Sequence, residues 1–311
     1  MSKNISILVP IYNSSAFMHL LMKAIDDERL KNNWDLEVVL VDDGSRDKSF
    51  EKIEELQKQY NYIKGIKLSK NFGHQIAVKT ALSHCNGNYI AIIDDDLQDP
   101  PSLLPMFFNK LDEGYDVAYG VRKKRKESLL KRLAYSSFYR ILKGMSDIYI
   151  PIDSGDFCVM KKHVVENMLK LQEQNPFLRG IRAWVGFKQI GVEYERNARI
   201  DGQSGYTLKK LLKIAIDGIF SFSTAPIRLI TVLGILGFGF AILYSIITIY
   251  AYFIQKIETK GFATLVILIS FFSSLILICL GIIGEYIVRI YDEVRQRPYV
   301  VIEKTINVWA N

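Results

Sequence analysis

Short apolar runs separated by amphipathic stretches organise the first part of the chain. Residues 5–9 (Ile-Ser-Ile-Leu-Val) are largely β-branched and stop at Pro10. Similar runs recur at 37–41, 63–68 and 89–93, each followed by a polar turn. Between them the periodicity predicts helices: one from near Ala16, capped by Asn13 or Ser14, one ending near Tyr60, and one over 75–84. Continuous apolar runs are strands buried on both faces, and strands alternating with helices make a mostly parallel sheet. A further strand is expected at 116–119. Residues 129–145 and 208–222 mix Leu, Ile and Phe with Lys and Arg at helical spacing, the pattern of basic amphipathic helices. A β-rich segment at 298–306 has no function attached to it.

The pattern changes late. No charged residue occurs over 229–254 or over 261–284. Each run exceeds the ~20 residues that carry a helix across a bilayer core, and only residues 255–260 connect them. A transmembrane hairpin is expected, with spans at about 229–254 and 262–286. Lys209, Lys210, Lys213 and Arg228 precede it, Arg289, Arg295 and Arg297 follow it, and the connector holds only Lys256 and Lys260. The positive-inside bias puts both termini in the cytoplasm. Glu285 and Arg289, one turn apart, are placed to pair. The chain of 311 residues divides on this reading into a cytoplasmic domain (1–205), a juxtamembrane amphipathic helix (206–226), the hairpin (227–290) and a cytoplasmic tail (291–311).

Composition narrows the chemistry. The formal charge of +7 suits a nucleic-acid surface, an anionic membrane face or phosphorylated substrates alike. Cys85, Cys158 and Cys279 are scattered and form no ligand pair with the histidines, so neither a disulfide framework nor a zinc site is expected. The N-terminus runs straight into a strand with no leader pattern. No Gly-x-Gly-x-x-Gly and no Walker-type phosphate loop is present.

Acidic strand ends stand out instead. Residues 37–41 lead into Asp42-Asp43-Gly44-Ser45-Arg46-Asp47, and residues 89–93 into Asp94-Asp95-Asp96-Leu97-Gln98-Asp99-Pro100-Pro101. Ligands bind beyond the carboxyl ends of parallel strands. Adjacent carboxylates there repel one another unless a cation compensates, and such oxygen donors suit Mg2+ or Mn2+ shared with substrate phosphates. Asp is also common at helix N-termini and plain turns, so a single acidic triplet does not decide.

The three successive motifs together do. Val9-Pro10-Ile11-Tyr12-Asn13, the Asp42–Asp47 turn and the Asp94–Pro101 stretch resemble the signatures of family-two inverting glycosyltransferases of the GT-A fold. The Asp-x-Asp-Leu-Gln-x-Pro-Pro form resembles the dolichyl-phosphate mannose synthase subgroup. Continuation through Ser154-Gly155-Asp156-Phe157, Trp184-Val185-Gly186, Gly202-Gln203-Ser204 and a two-helix tail is similar to bacterial bactoprenol glucosyltransferases. The resemblance implies a Rossmann-like GT-A catalytic domain followed by interfacial amphipathic helices and the hairpin, in a bacterial inner membrane. Pro10, Tyr12 and Asn13 would shape the pocket for the donor's base and ribose, Asp42 would accept from the base, and Asp43 would support it. Asp94 and Asp95 would border the donor diphosphate. Asp96, with Asp94 and Gln98, would hold Mg2+ or Mn2+. On the acceptor side Arg122, Lys131, Arg132, Arg199 and Ser204 would meet phosphate, which a guanidinium pairs bidentately. Asp156 would act as a base or only position substrate. Gly205 stands where many relatives carry a Lys. Arg179 and Ala183 break the match of residues 179–184 to the Gln-x-x-Arg-Trp motif of processive synthases.

The implied reaction moves a sugar, glucose from UDP-glucose, or another UDP-hexose, to undecaprenyl or another polyprenyl phosphate for cell-surface glycan modification. Implied partners are the nucleotide sugar, the lipid phosphate, the bilayer, a flippase and a downstream glycosyltransferase. The hairpin permits a homo-oligomer without requiring one. Two rivals remain at this point: a hydroxyl-acceptor or processive polysaccharide synthase, and a non-catalytic membrane scaffold. Nucleic-acid binding has no recognisable module behind it.

Overall fold

The computed structural model describes residues 3–122, 154–171, 173–174, 176–195, 225–255 and 261–308. Two compact units emerge, one holding the sheet and the residues from Pro298 onward, the other holding the two long apolar helices.

The first unit is built on one eight-stranded sheet in the order β7-β5-β6-β4-β1-β2-β3-β8. β1 (Asn4–Ile11), β2 (Asp35–Asp42), β3 (Ile63–Leu68) and β4 (Tyr89–Ile92) are mutually parallel. β6 (Ser154–Lys161) runs antiparallel between β4 and β5 (Val117–Arg122), and β7 (Gln189–Tyr194) lies parallel to β5. Helices α1 (Met18–Asn32), α2 (Ser49–Gln59), α3 (His74–Ser83) and α4 (Leu104–Asp112) follow β1 to β4 in turn. α5 (Lys162–Leu169) and α6 (Leu178–Trp184) fall between β6 and β7. The continuous apolar runs of β1 and β2 are buried along nearly their whole length, as strands covered on both faces must be.

Two local expectations change, and a third gains a place in the sheet. α1 starts at Met18 with no side-chain cap. Asn13 and Ser14 are drawn instead to the turn after β2: Asn13 N–H donates to Ser45 Oγ at 2.9 Å and Ser14 N–H to Ser49 Oγ at 3.0 Å. A tertiary partner has won over a local cap. β5 runs to Arg122, past the expected Tyr119. The segment after the apolar helices supplies β8 (Ile302–Ile306), antiparallel to β3 and forming one edge of the sheet.

In the second unit, α7 (Ala225–Gln255) and α8 (Phe262–Val294) are long and apolar enough to cross a membrane. Large apolar side chains such as Phe238 and Leu277 are exposed along them. Arg289 bonds Glu285 at 3.1 Å, as their spacing predicts. The amphipathic helices expected at 129–145 and 208–222 lie outside the described residues.

Candidate active site

Parallel strands deliver their C-terminal ends to one edge of the sheet, and antiparallel β6 begins there. Asp42 ends β2, the 69–73 loop follows β3, Asp94 to Asp96 follow β4, and Asp156 lies near the start of β6. The site is therefore assembled by topology from residues far apart in sequence.

The β2 turn is rigidly wired. Asp42 is fully buried; its Oδ1 accepts from Ser45 N–H at 3.1 Å, while Oδ2 has no hydrogen-bond partner among the described residues. Burial pushes its carboxyl above the usual range. A buried carboxylate oxygen without a donor is costly, and an incoming N–H relieves it. Asp43 turns the other way and accepts from Phe72 N–H at 2.7 Å and Gly73 N–H at 2.9 Å. Gly44 sits at φ +63°, and a Cβ there would stand 2.6 Å from Asn71 N, so the turn and the 69–73 loop fit only around a glycine. Asn13, itself at φ +53°, accepts from Arg46 N–H through Oδ1 at 2.9 Å. Pro10 is buried in β1, and Tyr12 beside it is 45% exposed.

After β4 the carboxylates crowd. Burial pushes Asp94 up to about 6, reinforced by the charges of Asp156, Asp99 and Asp96 and opposed by His74. Burial likewise raises Asp95. Asp96 Oδ1 accepts from Gln98 N–H at 3.2 Å across Leu97, which is forced to φ +54°, and the Gln98 side chain is buried. Asp99 is held from beneath by Tyr194 Oη at 2.5 Å. No three acidic, His or Cys side chains form a ready-made metal cage among the described residues. The donor set nevertheless fits Mg2+ or Mn2+: one or two carboxylates that repel each other, an amide beside them, and remaining positions left to substrate phosphates.

Asp156 is heavily partnered. Arg179 of α6 grips it with two bonds, Nε to Oδ1 at 2.7 Å and a terminal nitrogen to Oδ2 at 3.0 Å. His74 Nε2 stands 3.5 Å from Asp156 Oδ2 and 3.8 Å from Asp94 Oδ1. Gln75 Nε2 reaches the same Oδ2 at 3.5 Å, while its Oε1 accepts from Leu178 N–H at 3.0 Å. Burial disfavours the Asp156 charge, but Arg179 and His74 more than offset it and hold the carboxyl well below the ordinary value. Burial pulls His74 down too, yet its bond to Asp156 and the charges of Asp94 and Asp156 lift it to about 9. Below this cluster lies a cavity of about 10 Å³, enough for one water, lined by Asp156, Cys158, Arg179 and Arg182. Arg182 there is buried, with its guanidinium over the Tyr119 ring.

Pro10, Tyr12, Asn13, Asp42, Asp43, Asp94, Asp95, Asp96, Gln98 and Asp156 thus all lie at the strand ends and turns of this edge. Arg122 ends β5 opposite Tyr194. Lys131, Arg132, Arg199 and Ser204 lie outside the described residues. His74, Gln75 and Arg179 are the members that sequence reasoning passed over. For His74 the available signal was its place at the end of the loop that follows a parallel strand; for Arg179 there was none, because its partner is joined only by the fold.

A model of glycosyl transferase family 2 matches residues 6–169, from β1 through α5. The chain belongs to that family. Among relatives of this family 2 glycosyltransferase, the uncharacterised glycosyltransferase YkcC of Bacillus subtilis (strain 168) is 42% identical over 99% of this chain and 96% of its own. The SfII prophage-derived bactoprenol glucosyl transferase of Shigella flexneri is 33% identical over 97% of this chain and 98% of its own. Among solved structures, the mannosyltransferase PcManGT from Pyrobaculum calidifontis, in complex with GDP-Man and Mn2+, superposes with a TM-score of 0.51 at 18% identity, over 73% of this chain and 65% of that one. The two share the GT-A fold.

Proposed function

We propose that this family 2 glycosyltransferase moves a hexose, glucose, from UDP-glucose to a polyprenyl phosphate, undecaprenyl phosphate, with inversion at the anomeric carbon. One observation carries the acceptor assignment. Asp156, the acid on the acceptor side, is committed to Arg179 and His74 and held ionised. A carboxylate so stabilised is a weak base. A hydroxyl acceptor needs a base to remove its proton; a phosphate acceptor arrives ionised and needs none. The full-length likeness to bactoprenol glucosyl transferases supports the same choice.

The donor's base would supply the missing N–H to Asp42 Oδ2, with Pro10, Tyr12 and Asn13 shaping the pocket. Asp94 and Asp95 would flank the diphosphate. Asp94, Asp96 and Gln98 would hold Mg2+ or Mn2+, which would supply positive charge beside the departing nucleoside diphosphate. Arg122, Lys131, Arg132, Arg199 and Ser204 would bind the phosphates. A lipid phosphate oxygen attacks the anomeric carbon in line; the new C–O bond forms as the bond to the diphosphate breaks, and no proton moves. Asp156 acts by fixing Arg179 and His74, so positioning supplies much of the rate.

α7 and α8 would cross the bacterial inner membrane with both termini cytoplasmic. The sheet supports placing both flanks of the helix pair on one side, because strands before and after it share one sheet, as two crossings require; the positive-inside bias chooses the cytoplasmic side. The product would pass to a flippase and a downstream glycosyltransferase. The test incubates detergent-solubilised protein with radiolabelled UDP-glucose, Mg2+ and undecaprenyl phosphate, beside Asp96→Ala. Label entering the organic phase only when both the lipid and Asp96 are present supports the reading. Transfer to a hydroxyl acceptor instead overturns it.

A further inference from the structure

Nothing in the proposed reaction uses the residues that follow α8, yet they reach into its supports. β8 pairs with β3 through Gly65–Ile306, Ile66–Thr305 and Lys67–Lys304, and Ser69 N–H donates to Val301 O at 3.0 Å where β3 gives way to the 69–73 loop. Lys67 bonds Glu303 at 2.9 Å, and Ile306 packs against the core. Just ahead of β8, the Tyr299 ring covers the ammonium of Lys79 at 4.6 Å. Lys79 is buried in α3 and donates to Glu173 O at 2.9 Å and Leu171 O at 3.4 Å. One turn earlier on the same helix, Gln75 holds Leu178 N–H. Residues four apart share a helix face, so α3 grips the chain entering α6 at two points. Arg179 is the next residue along.

We propose that Lys79 and Tyr299 are positioning residues for the acceptor side of the site. The tail that follows the apolar helices seats the Lys79 ammonium, the ammonium fixes the segment entering α6, and that segment sets the reach of Arg179 to Asp156. A buried ammonium needs compensation, and a desolvated aromatic face supplies it in a way an aliphatic side chain cannot.

The kinetic half of the test rests on the transferase reading; the exchange half does not. Full-length Tyr299→Leu, Tyr299→Phe and Lys79→Met proteins in detergent are compared by amide hydrogen exchange and by transfer kinetics. For Tyr299→Leu, faster exchange is expected at 173–184 with β1 and β2 unchanged. Its kcat/KM for polyprenyl phosphate should fall about tenfold, the worth of one desolvated cation–π contact, while KM for the nucleotide sugar holds. Tyr299→Phe, which keeps the ring, should behave as the parent, and Lys79→Met should reproduce the leucine variant. Unchanged exchange at 173–184 in Tyr299→Leu overturns the proposal, as does equal acceleration throughout the sheet. If the parent protein transfers no sugar while the local exchange effect appears, the proposed reaction fails and the brace stands.

Discussion

Cutting the Arg179–Asp156 pair tests the view of Asp156 as a fixed positioning charge. The pair is bidentate, and the side chains of Asp156 and Arg179 are 15% and 29% exposed. Exposed ion pairs contribute under about 1 kcal/mol, and stranding one partner of a wholly buried pair costs about 3–5 kcal/mol. With water reaching part of the guanidinium, Arg179→Met should cost about 2 kcal/mol. For a domain of this size that is a drop in melting temperature of about 4–8 °C. The assay is a double-mutant cycle on full-length protein in detergent: Arg179→Met, Asp156→Asn and both together. Because the folded Asp156 carboxyl is depressed, the pair's contribution is complete above the ordinary value of 3.8 and fades only as pH falls through the folded value. The difference between parent and Arg179→Met should therefore be flat from neutral pH down to mildly acidic conditions. The double variant should melt no lower than the worse single one, since the second change removes a charge already stranded. A double variant that loses the sum of both single losses would show that the two side chains are not coupled, and the argument against a base would lose its footing.

Other outcomes follow from the same geometry. Asp42→Asn should raise KM for the nucleotide sugar about tenfold at unchanged kcat, the loss of one charge-assisted hydrogen bond. Its carboxyl is raised by burial, so parent stability without nucleotide falls as pH rises from 3.8 through the folded value; the Asn variant should lack that dependence and melt higher at neutral pH. Gly44→Ala forces a Cβ into the 69–73 loop at positive φ and should cost about 2 kcal/mol or more, read as a lowered melting temperature. Chelation should abolish transfer, and Mg2+ or Mn2+ should restore it; full activity in excess chelator would remove the metal from the mechanism.

Much of the fold was legible because burial on both faces writes itself as uninterrupted apolar runs, and the runs at β2 and β4 end where the acids begin. Asp42 and Asp94 to Asp96 were legible as a site because strand ends carry them directly. Asn13 and Ser14 were misread as caps, since a lone sequence shows the local side-chain acceptor but not the Ser45–Ser49 turn brought beside it. Arg179 carried no local sign of its role, and His74 only its place after β3: each meets Asp156 only after the sheet has folded. β8 read as β-rich without a destination, because its partner β3 lies on the other side of both apolar helices in sequence.

That last pairing bears on how the protein is made. Domains generally fold from the N-terminus as the chain emerges, and here β1 to β7 are complete before α7 and α8 are synthesised. β3 must then wait, as an open edge with unpaired backbone groups, until the ribosome has passed both apolar helices and released β8. If the two apolar helices insert as proposed, their insertion would come before closure of the sheet, and a catalytic domain whose helices had failed to insert would be left with its sticky edge uncovered.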